Sequence, residues 1–321
     1  MKFFPHLKTI TRVEFIPANS ASVIIGFAWA IRQGADFSWQ MVGHVLALFV
    51  VLSAVGTLGA HWNSYSDFEL DRDDPTKKDL HTSMLAVGRE KLKTIIQVEV
   101  LLAAAVFVLF YQGNNDLRLI ALWLTAICLA FAYSMPPLRL KACGPLAFAN
   151  LCLVLSILPV LFVFLSSNPG LNHDFLIFLA GHTMVIYSLI VPTEIRDYAV
   201  DQAHRVITMT GWLGLKKAIH FALGLLGVGT VLILTSYFSS GVFAANPALC
   251  VFLSVPLVCN GVVFVNFWRL RILIIDPQVS EKSSITQAAN LAGENPKWIT
   301  LSSMGSLLIA IVTLVGKIAL S

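Results

Sequence analysis

The chain has 321 residues, of which 57% are hydrophobic and only 12% are charged, and its mean hydropathy is +0.77. Soluble globular proteins carry about 25% charged residues, so this composition excludes an ordinary soluble domain and indicates a protein with many membrane spans. The formal net charge of +4 is modest, and basic loops at a membrane surface explain it better than nucleic-acid binding does.

Apolar runs that could cross a bilayer, which takes about 20 helical residues, recur along the whole chain. We predict nine spans, in residues 16–32, 42–63, 94–111, 118–134, 146–166, 174–193, 218–238, 247–267 and 298–319. A short interfacial helix is expected near residues 284–291. The predicted fold class is therefore all-α, a polytopic membrane helical bundle, and because no soluble segment interrupts it we expect residues 1–321 to form a single intramembrane domain.

The basic residues predict an orientation for this bundle. If the N-terminus is cytoplasmic, 19 of the 22 Lys and Arg residues lie in cytoplasmic segments, and only Arg32, Arg118 and Lys317 lie on the other side. The positive-inside rule favours this arrangement. We therefore expect an integral, multi-pass membrane protein whose N-terminus and long polar loops face the cytoplasm.

An acidic stretch, Asn63-Ser-Tyr-Ser-Asp67-Phe-Glu-Leu-Asp71, continues directly from the second predicted span. At 100° per residue, Asn63, Asp67 and Asp71 fall within about 80° of one another on a helix, so an amide and two carboxylates share one face. Such a face is suited to a cation. For an isolated acidic run, however, a solvated helix end is the more common explanation.

A second acidic stretch changes this balance. Glu194, Asp197 and Asp201 follow the sixth predicted span, and on a helix they fall within about 60° of one another. Both stretches are expected on the cytoplasmic side, where they could face each other across one mouth of the bundle. Mg²⁺ prefers carboxylate ligands and commonly bridges them to substrate phosphates, so two such clusters favour a divalent-cation site.

The loop between the fourth and fifth spans supplies positive charge. It reads Tyr133-Ser-Met-Pro-Pro-Leu-Arg139-Leu-Lys141, and the two prolines prevent a helix and favour a turn that presents Arg139 and Lys141. Arginine and lysine beside a cation site are suited to a diphosphate. Taken alone, the same two residues are equally well explained by the positive-inside rule.

These three stretches together resemble the UbiA superfamily of intramembrane prenyltransferases: NxxxDxxxD after the second span, YSMPPLRLK after the fourth and DxxxD after the sixth. The resemblance covers nearly the whole chain and implies a helical bundle around a central cavity that opens laterally to lipid. It also implies that Mg²⁺ held by the two motifs binds the diphosphate of an isoprenoid donor, whose prenyl group passes to an acceptor that is often aromatic.

The resemblance assigns roles by position, with pseudo-repeated acidic motifs at 63–71 and 194–201. The implied metal ligands are Asn63, Asp67, Asp71, Glu194, Asp197 and Asp201. The implied catalytic residues are Asp67, Asp71, Asp197 and Asp201. The implied diphosphate-binding residues are Tyr133, Arg139, Lys141, Lys78 and Arg205. Two departures indicate a divergent member: Ser64 replaces the Asp of a common Asn-Asp pair, and residues 81–89 lack the usual Arg-Pro pair.

The resemblance implies an enzyme that transfers an isoprenoid from an allylic diphosphate to a small, aromatic acceptor. The expected partners are therefore the prenyl diphosphate, a hydrophobic or aromatic acceptor and membrane lipid, with no nucleic acid. A membrane terpene cyclase of the same superfamily remains open, because it needs the same ionising residues but no acceptor. A cation transporter is disfavoured, since its acidic residues would lie within the spans rather than at their ends.

His44, His61 and His182 lie within predicted spans, and each could be a proton acceptor for a phenolic or quinonoid acceptor. Histidines within helical membrane bundles are more often hydrogen-bonded between helices. We favour this second interpretation for all three, although His61 is close to the first motif and His182 lies on the span that leads to the second. Glu99 is equally well explained by an interhelical hydrogen bond.

Overall fold

The computed structural model describes residues 3–12, 16–35, 39–74, 77–113, 115–167, 170–239, 247–275 and 281–320. In these ranges the chain is helical, and the β contact is an isolated bridge between Cys143 and Ile207. The helices are α1 (Phe3–Ile10), α2 (Ile16–Arg32), α3 (Trp39–Ser66), α4 (Phe68–Arg72), α5 (Lys78–Val87), α6 (Arg89–Gln112), α7 (Leu117–Ser134), α8 (Pro145–Ser166), α9 (His173–Ser188), α10 (Val191–Ala203), α11 (Met209–Leu213), α12 (Leu215–Phe238), α13 (Ser254–Ile275), α14 (Glu281–Ala292) and α15 (Asn295–Leu320).

Eight helical segments of the described chain are long and apolar enough to cross a membrane, and α2 provides a shorter apolar helix where the first span is predicted. The all-α class is confirmed, and the count agrees with the nine predicted spans. Helices α9 and α10 together form one candidate span, His173–Ala203, which ends with the second acidic motif. The chain is therefore an integral, multi-pass membrane protein.

Helices α9 and α12 pack closely because glycine faces glycine. A Cβ atom on Gly181 would lie 2.8 Å from the carbonyl oxygen of Gly229, and a Cβ on Gly229 would lie 2.7 Å from that of Gly181. Small residues of this kind let membrane helices approach to backbone contact. The contact holds α9, the helix that leads to the second motif, against α12.

The end of the bundle opposite the acidic motifs is held by a buried arginine. The Arg32 guanidinium lies 3.9 Å from the centre of the Trp29 ring, donates to the Ser236 carbonyl at 2.9 Å and pairs with Asp174 at 3.4 Å. Its charge is thus shared between a carboxylate, a carbonyl and an aromatic face. Three helices, α2, α9 and α12, are joined at this point.

The predicted interfacial helix near 284–291 corresponds to α14. This helix packs against α10, and its Ala288 and Ala292, which are four residues apart and share one face, are fully buried. Small side chains at this spacing allow close helix contact. The segment that precedes the last span therefore lies against the helix that carries the second motif.

Candidate functional site

The first motif keeps helical spacing although the helix is interrupted within it. Helix α3 ends at Ser66 and α4 begins at Phe68, with Asp67 in the turn between them. The backbone bonds Asp67 N to Asn63 O, 2.9 Å, and Asp71 N to Asp67 O, 2.8 Å, continue the helical pattern. Asn63, Asp67 and Asp71 therefore share one face, as predicted, and both carboxylates are buried.

Asp67 lies beside the loop that follows α7. Its carboxylate forms an ion pair with the Lys141 ammonium and lies 4.0 Å from the Arg139 guanidinium. The turn at the two prolines ends with Arg139 in a left-handed conformation, φ 36°, and a short 3₁₀ helix, Leu140–Ala142, follows. Both basic residues singled out in the sequence are thus adjacent to the first motif, although Lys141 is buried rather than presented to solvent.

This loop also meets the loop that follows the second motif. The Gly144 amide donates to the Ile207 carbonyl at 2.6 Å, which joins the segment after Lys141 to the segment after α10. Lys141 consequently lies within electrostatic range of Asp201, and the Tyr133 ring at the end of α7 lies within range of Glu194 and Asp201. Tyr133 therefore lies at the same end of the bundle as the second motif.

The second motif occupies a single unbroken helix, α10, and its three carboxylates have different surroundings. Glu194 is fully engaged by the protein, since it accepts from the Thr210 amide at 2.8 Å and from the Tyr187 hydroxyl at 3.3 Å. Asp197 accepts from its neighbour Arg196 at 2.6 Å. Asp201 is buried, 8% exposed. Each oxygen of Glu194 thus accepts one hydrogen bond from the protein, which leaves fewer free lone pairs for a metal ion than on a carboxylate without such partners.

One ammonium group joins the two motifs. The Lys77 Nζ lies 3.1 Å from Asp71, 3.2 Å from Asp197 and 3.5 Å from Asp74. The first and second motifs therefore face each other within reach of a single side chain. The two motifs are 130 residues apart in the sequence (67 to 197), so the folded bundle brings them together.

Burial and neighbouring charges have opposite effects on the pKa values of Asp71 and Lys77, which both lie outside the spans. Burial raises the pKa of Asp71, and the nearby Lys77 ammonium offsets this only in part. Burial alone would lower the pKa of Lys77, but Asp197, Asp71 and Asp74 outweigh it, so the pKa of Lys77 is raised. The lysine is therefore a permanent cation between the motifs at neutral pH.

The donor set is of the type that Mg²⁺ takes. The side chains are carboxylates and one amide, which are hard oxygen ligands, and both buried oxygens of Asp71 lack a well-directed hydrogen bond. Within the described ranges, no three acidic, histidine or cysteine side chains converge closely enough to hold a metal as they stand. The residues fit the metal in chemistry, with Lys77 lying between the carboxylates that would share it.

Two of the predicted diphosphate-binding residues are exposed and form no ion pair with the carboxylates of the described chain. Lys78 is exposed at the start of α5, and Arg205 is exposed in the turn after α10. Lys77, which precedes Lys78, occupies the site instead, because successive helical residues point about 100° apart. The basic residue of this loop that lies between the two motifs is therefore Lys77, while the diphosphate-binding role of the exposed Lys78 stays a prediction.

A basic residue before the first span also approaches the site. Arg12 follows α1, has a left-handed backbone, φ 52°, and lies within electrostatic range of Asp71 and Lys141. In the sequence, Arg12 contributes only to the predicted orientation. The neighbouring Thr11 is in contact with α3, since its hydroxyl lies 3.0 Å from His61 Nε2. No local sequence pattern indicates this contact.

His61 and His182 differ in their contacts. His61 Nδ1 lies 2.8 Å from Glu99, so both residues make the interhelical contact that the sequence analysis favours. His182 is buried, 3% exposed, and neither ring nitrogen has a hydrogen-bond partner among the described residues. The interhelical hydrogen bond expected for His182 is therefore absent from this part of the structure.

A cavity of about 510 Å³ lies on the other side of the first motif. Trp62 and Tyr65 line it, roughly half a turn around α3 from Asp67, together with Arg89 and Arg139. The Arg89 guanidinium lies 5.0 Å from the centre of the Tyr65 ring. Ser134 connects cavity and motif, because it lines the cavity and donates to Asn63 at 2.7 Å.

The fold matches solved structures along nearly its whole length. A UbiA homologue from Archaeoglobus fulgidus bound to GPP and Mg²⁺ is 15% identical, with a TM-score of 0.61 over 93% of this chain and 99% of that one. The apo structure of a UbiA homologue from Aeropyrum pernix K1 is 15% identical, with a TM-score of 0.63 over 96% and 98%. A digeranylgeranylglyceryl phosphate synthase is 15% identical, with a TM-score of 0.57 over 97% and 99%.

The sequence comparisons are consistent with the structural ones. No curated protein matches the chain. The sequence model of the UbiA prenyltransferase family matches residues 20–272, which is more than half of the chain and includes both acidic motifs and the loop between the fourth and fifth spans. The chain therefore belongs to the UbiA prenyltransferase family.

Proposed function

We propose that the protein transfers an isoprenoid group from an allylic prenyl diphosphate to a small, aromatic acceptor within the membrane, with Mg²⁺ as its cofactor. One observation carries this proposal: the two acidic motifs face each other across Lys77. The Lys77 Nζ lies 3.1 Å from Asp71 and 3.2 Å from Asp197. Lys141 and Arg139 lie directly beside Asp67. Carboxylates for a divalent cation and basic groups for a polyanion thus meet at one end of the bundle.

Relatives of the same fold support the donor and the metal. Structures of the Archaeoglobus fulgidus homologue are bound to GPP and Mg²⁺ and to DMAPP and Mg²⁺. We assign Asp67, Asp71, Asp197 and Asp201 as the principal ligands. Asn63 contributes an amide oxygen, and Glu194 is a weaker candidate because its hydrogen bonds engage both oxygens.

The chain's own residues would then promote loss of the diphosphate. Bound Mg²⁺ supplies positive charge that stabilises the departing diphosphate. Lys141, Arg139 and Lys77 hold their cationic groups beside the same carboxylates, so they can bind the diphosphate oxygens as negative charge grows on them. The apolar spans exclude water, which would otherwise capture the allylic carbocation. We expect Tyr133, at the end of α7 and at the same end of the bundle, to help orient the donor.

A donor-by-acceptor screen tests the proposed function. Purified protein in Mg²⁺ is incubated with labelled geranyl, farnesyl or geranylgeranyl diphosphate, with and without aromatic acceptors, and products are identified by mass. We expect turnover only when an aromatic acceptor is present. A cyclic hydrocarbon formed without an acceptor would show that the protein is a terpene cyclase and not a transferase. Cation flux without any prenyl product would favour a transporter.

The proposal includes an orientation. We place the N-terminus and both acidic motifs on the cytoplasmic side, on the basis of the distribution of Lys and Arg residues. A water-soluble prenyl diphosphate head group would then reach the site from the cytoplasm, while its apolar chain enters between the spans. The orientation is independent of the chemistry and needs its own test.

A further inference from the structure

A break in the helix lies immediately before the second motif. Helix α9 ends at Ser188, residues 189 and 190 form a turn, and α10 begins at Val191. Pro192 lies in the first turn of α10 and has no amide hydrogen to donate, so the helical hydrogen-bond ladder is interrupted here. The direction and rotation of α10 therefore depend on what holds the break.

A single buried side chain from the far end of the sequence holds it. The Asn295 amide nitrogen donates to the Leu189 carbonyl at 2.7 Å and to the Thr193 hydroxyl at 2.8 Å. Because a backbone carbonyl only accepts hydrogen bonds, the orientation of the amide group is determined. The Asn295 side chain is 1% exposed, so these two bonds form without competition from water.

Asn295 is the first residue of α15 and follows α14 after a turn at residues 293 and 294. Helix α14 lies along α10, with Ala288 and Ala292 buried. The Asn295 amide thus fixes the break by hydrogen bonds. Close packing of α14 fixes α10, the helix beyond the break. Both contacts come from a segment beyond residue 272, where the match to the family ends.

We propose that Asn295 is a positioning residue for the second motif: by bonding the Leu189 carbonyl in the turn and the Thr193 side-chain hydroxyl in the first turn of α10, it sets the rotation of α10 that turns Asp197 and Asp201 toward the first motif. The inference rests on the proposed function, because that function gives these carboxylates their role as ligands. Glu194 directly follows Thr193, so a change at the break acts on the motif within one residue. Partners of this kind, which touch no metal themselves, typically change metal affinity by about 10- to 100-fold when they are removed.

Hydrogen exchange tests the positioning without any reference to catalysis. In Asn295→Ala, amides of residues 189–203 should exchange roughly 10-fold faster or more, since two buried hydrogen bonds are lost, while the exchange of α12 stays unchanged. Asn290→Ala is the matched control, because Asn290 is exposed on α14. Unchanged exchange at 189–203 would overturn the inference, and so would faster exchange throughout α12, which would indicate a residue of general stability.

Metal binding provides the second readout. The affinity of purified protein for Mn²⁺, measured by spin resonance without donor, should fall about 10-fold or more in Asn295→Ala and be unchanged in Asn290→Ala. Wild-type affinity in Asn295→Ala would overturn the positioning role. If the wild-type protein binds no Mn²⁺ even after inorganic diphosphate is added, the proposed function fails, while the exchange experiment still decides whether Asn295 holds α10.

Thr193→Val is a second variant that tests the same positioning role from the other side of the hydrogen bond. It removes one acceptor and preserves side-chain shape, and the Asn295 bond to Leu189 remains. We expect Thr193→Val to lower Mn²⁺ affinity less than Asn295→Ala does. In the double variant the loss of affinity should be smaller than the sum of the two single losses, because the two residues share a hydrogen bond. Fully additive effects would overturn the direct connection.

Discussion

Replacing Lys77 with methionine removes an ammonium group that joins the two motifs while keeping the length of the side chain. Asp71, which is 1% exposed, would lose its ion pair with Lys77, and Asp197 and Asp74 would lose the same partner. Removing one member of a buried ion pair costs about 3–5 kcal/mol. The lower end applies, because burial already raises the pKa of Asp71, and this carboxyl can take up a proton.

Metal should restore what the lysine supplied. A ligand at 100 times its dissociation constant stabilises the folded state by about 2.7 kcal/mol. We therefore expect Lys77→Met to unfold roughly 6 °C or more below the wild-type protein in EDTA. Saturating Mg²⁺ should raise the unfolding temperature of Lys77→Met more than that of the wild-type protein, because the ammonium group no longer competes with the metal for the same carboxylates. Lys78→Met, which changes an exposed neighbour, is the control and should behave like the wild-type protein in both conditions.

The assay is thermal unfolding of detergent-purified protein, followed by tryptophan fluorescence in EDTA and in Mg²⁺. Identical unfolding temperatures for Lys77→Met and Lys78→Met in EDTA would refute the bridge between the motifs. A deficit in Lys77→Met that Mg²⁺ does not reduce would refute the view that a divalent cation takes over between the same carboxylates.

Three further predictions address packing, orientation and the division of roles. Gly229→Ala should cost roughly 1–3 kcal/mol, because the new methyl carbon would lie 2.7 Å from a facing carbonyl oxygen; Gly227→Ala, whose Cβ meets nothing within 4 Å, is the control, and equal unfolding temperatures would contradict the close packing. A membrane-impermeant maleimide should label the exposed Cys143 in inverted vesicles and not in intact cells, with Cys143→Ser as control; the reverse pattern would place the motifs on the outer side. Glu194→Gln should lower turnover by roughly 10-fold or less and Asp197→Asn by roughly 100-fold or more, because hydrogen bonds already satisfy both oxygens of Glu194; equal losses would contradict that division.

Hydropathy was sufficient to predict the bundle. The first span, predicted for 16–32, is α2 at Ile16–Arg32, and the fourth, predicted for 118–134, is α7 at Leu117–Ser134. Apolar runs of this length are a local property of the sequence, so their positions can be read directly. The shared faces within each acidic motif were predictable for the same reason, since helical spacing depends only on neighbouring residues.

The contacts that assemble the site could not be read in this way. Whether Lys77 or Lys78 faces the carboxylates depends on where α5 begins, and a difference of one residue rotates the side chain by about 100°. Glu194 was predicted as a ligand by its spacing, but its engagement by Thr210 and Tyr187 depends on how α11 and α9 pack. Asn295 gave no signal, because its partners lie 102 and 106 residues away.

The most direct test of the central claim is Mg²⁺-dependent turnover of a labelled prenyl diphosphate by the wild-type protein and by an Asp67→Asn, Asp197→Asn double variant that removes one carboxylate charge from each motif. If the two motifs form one diphosphate site, the double variant should lose all measurable turnover while remaining folded by size-exclusion chromatography. Turnover at the wild-type rate in the folded double variant would contradict the account.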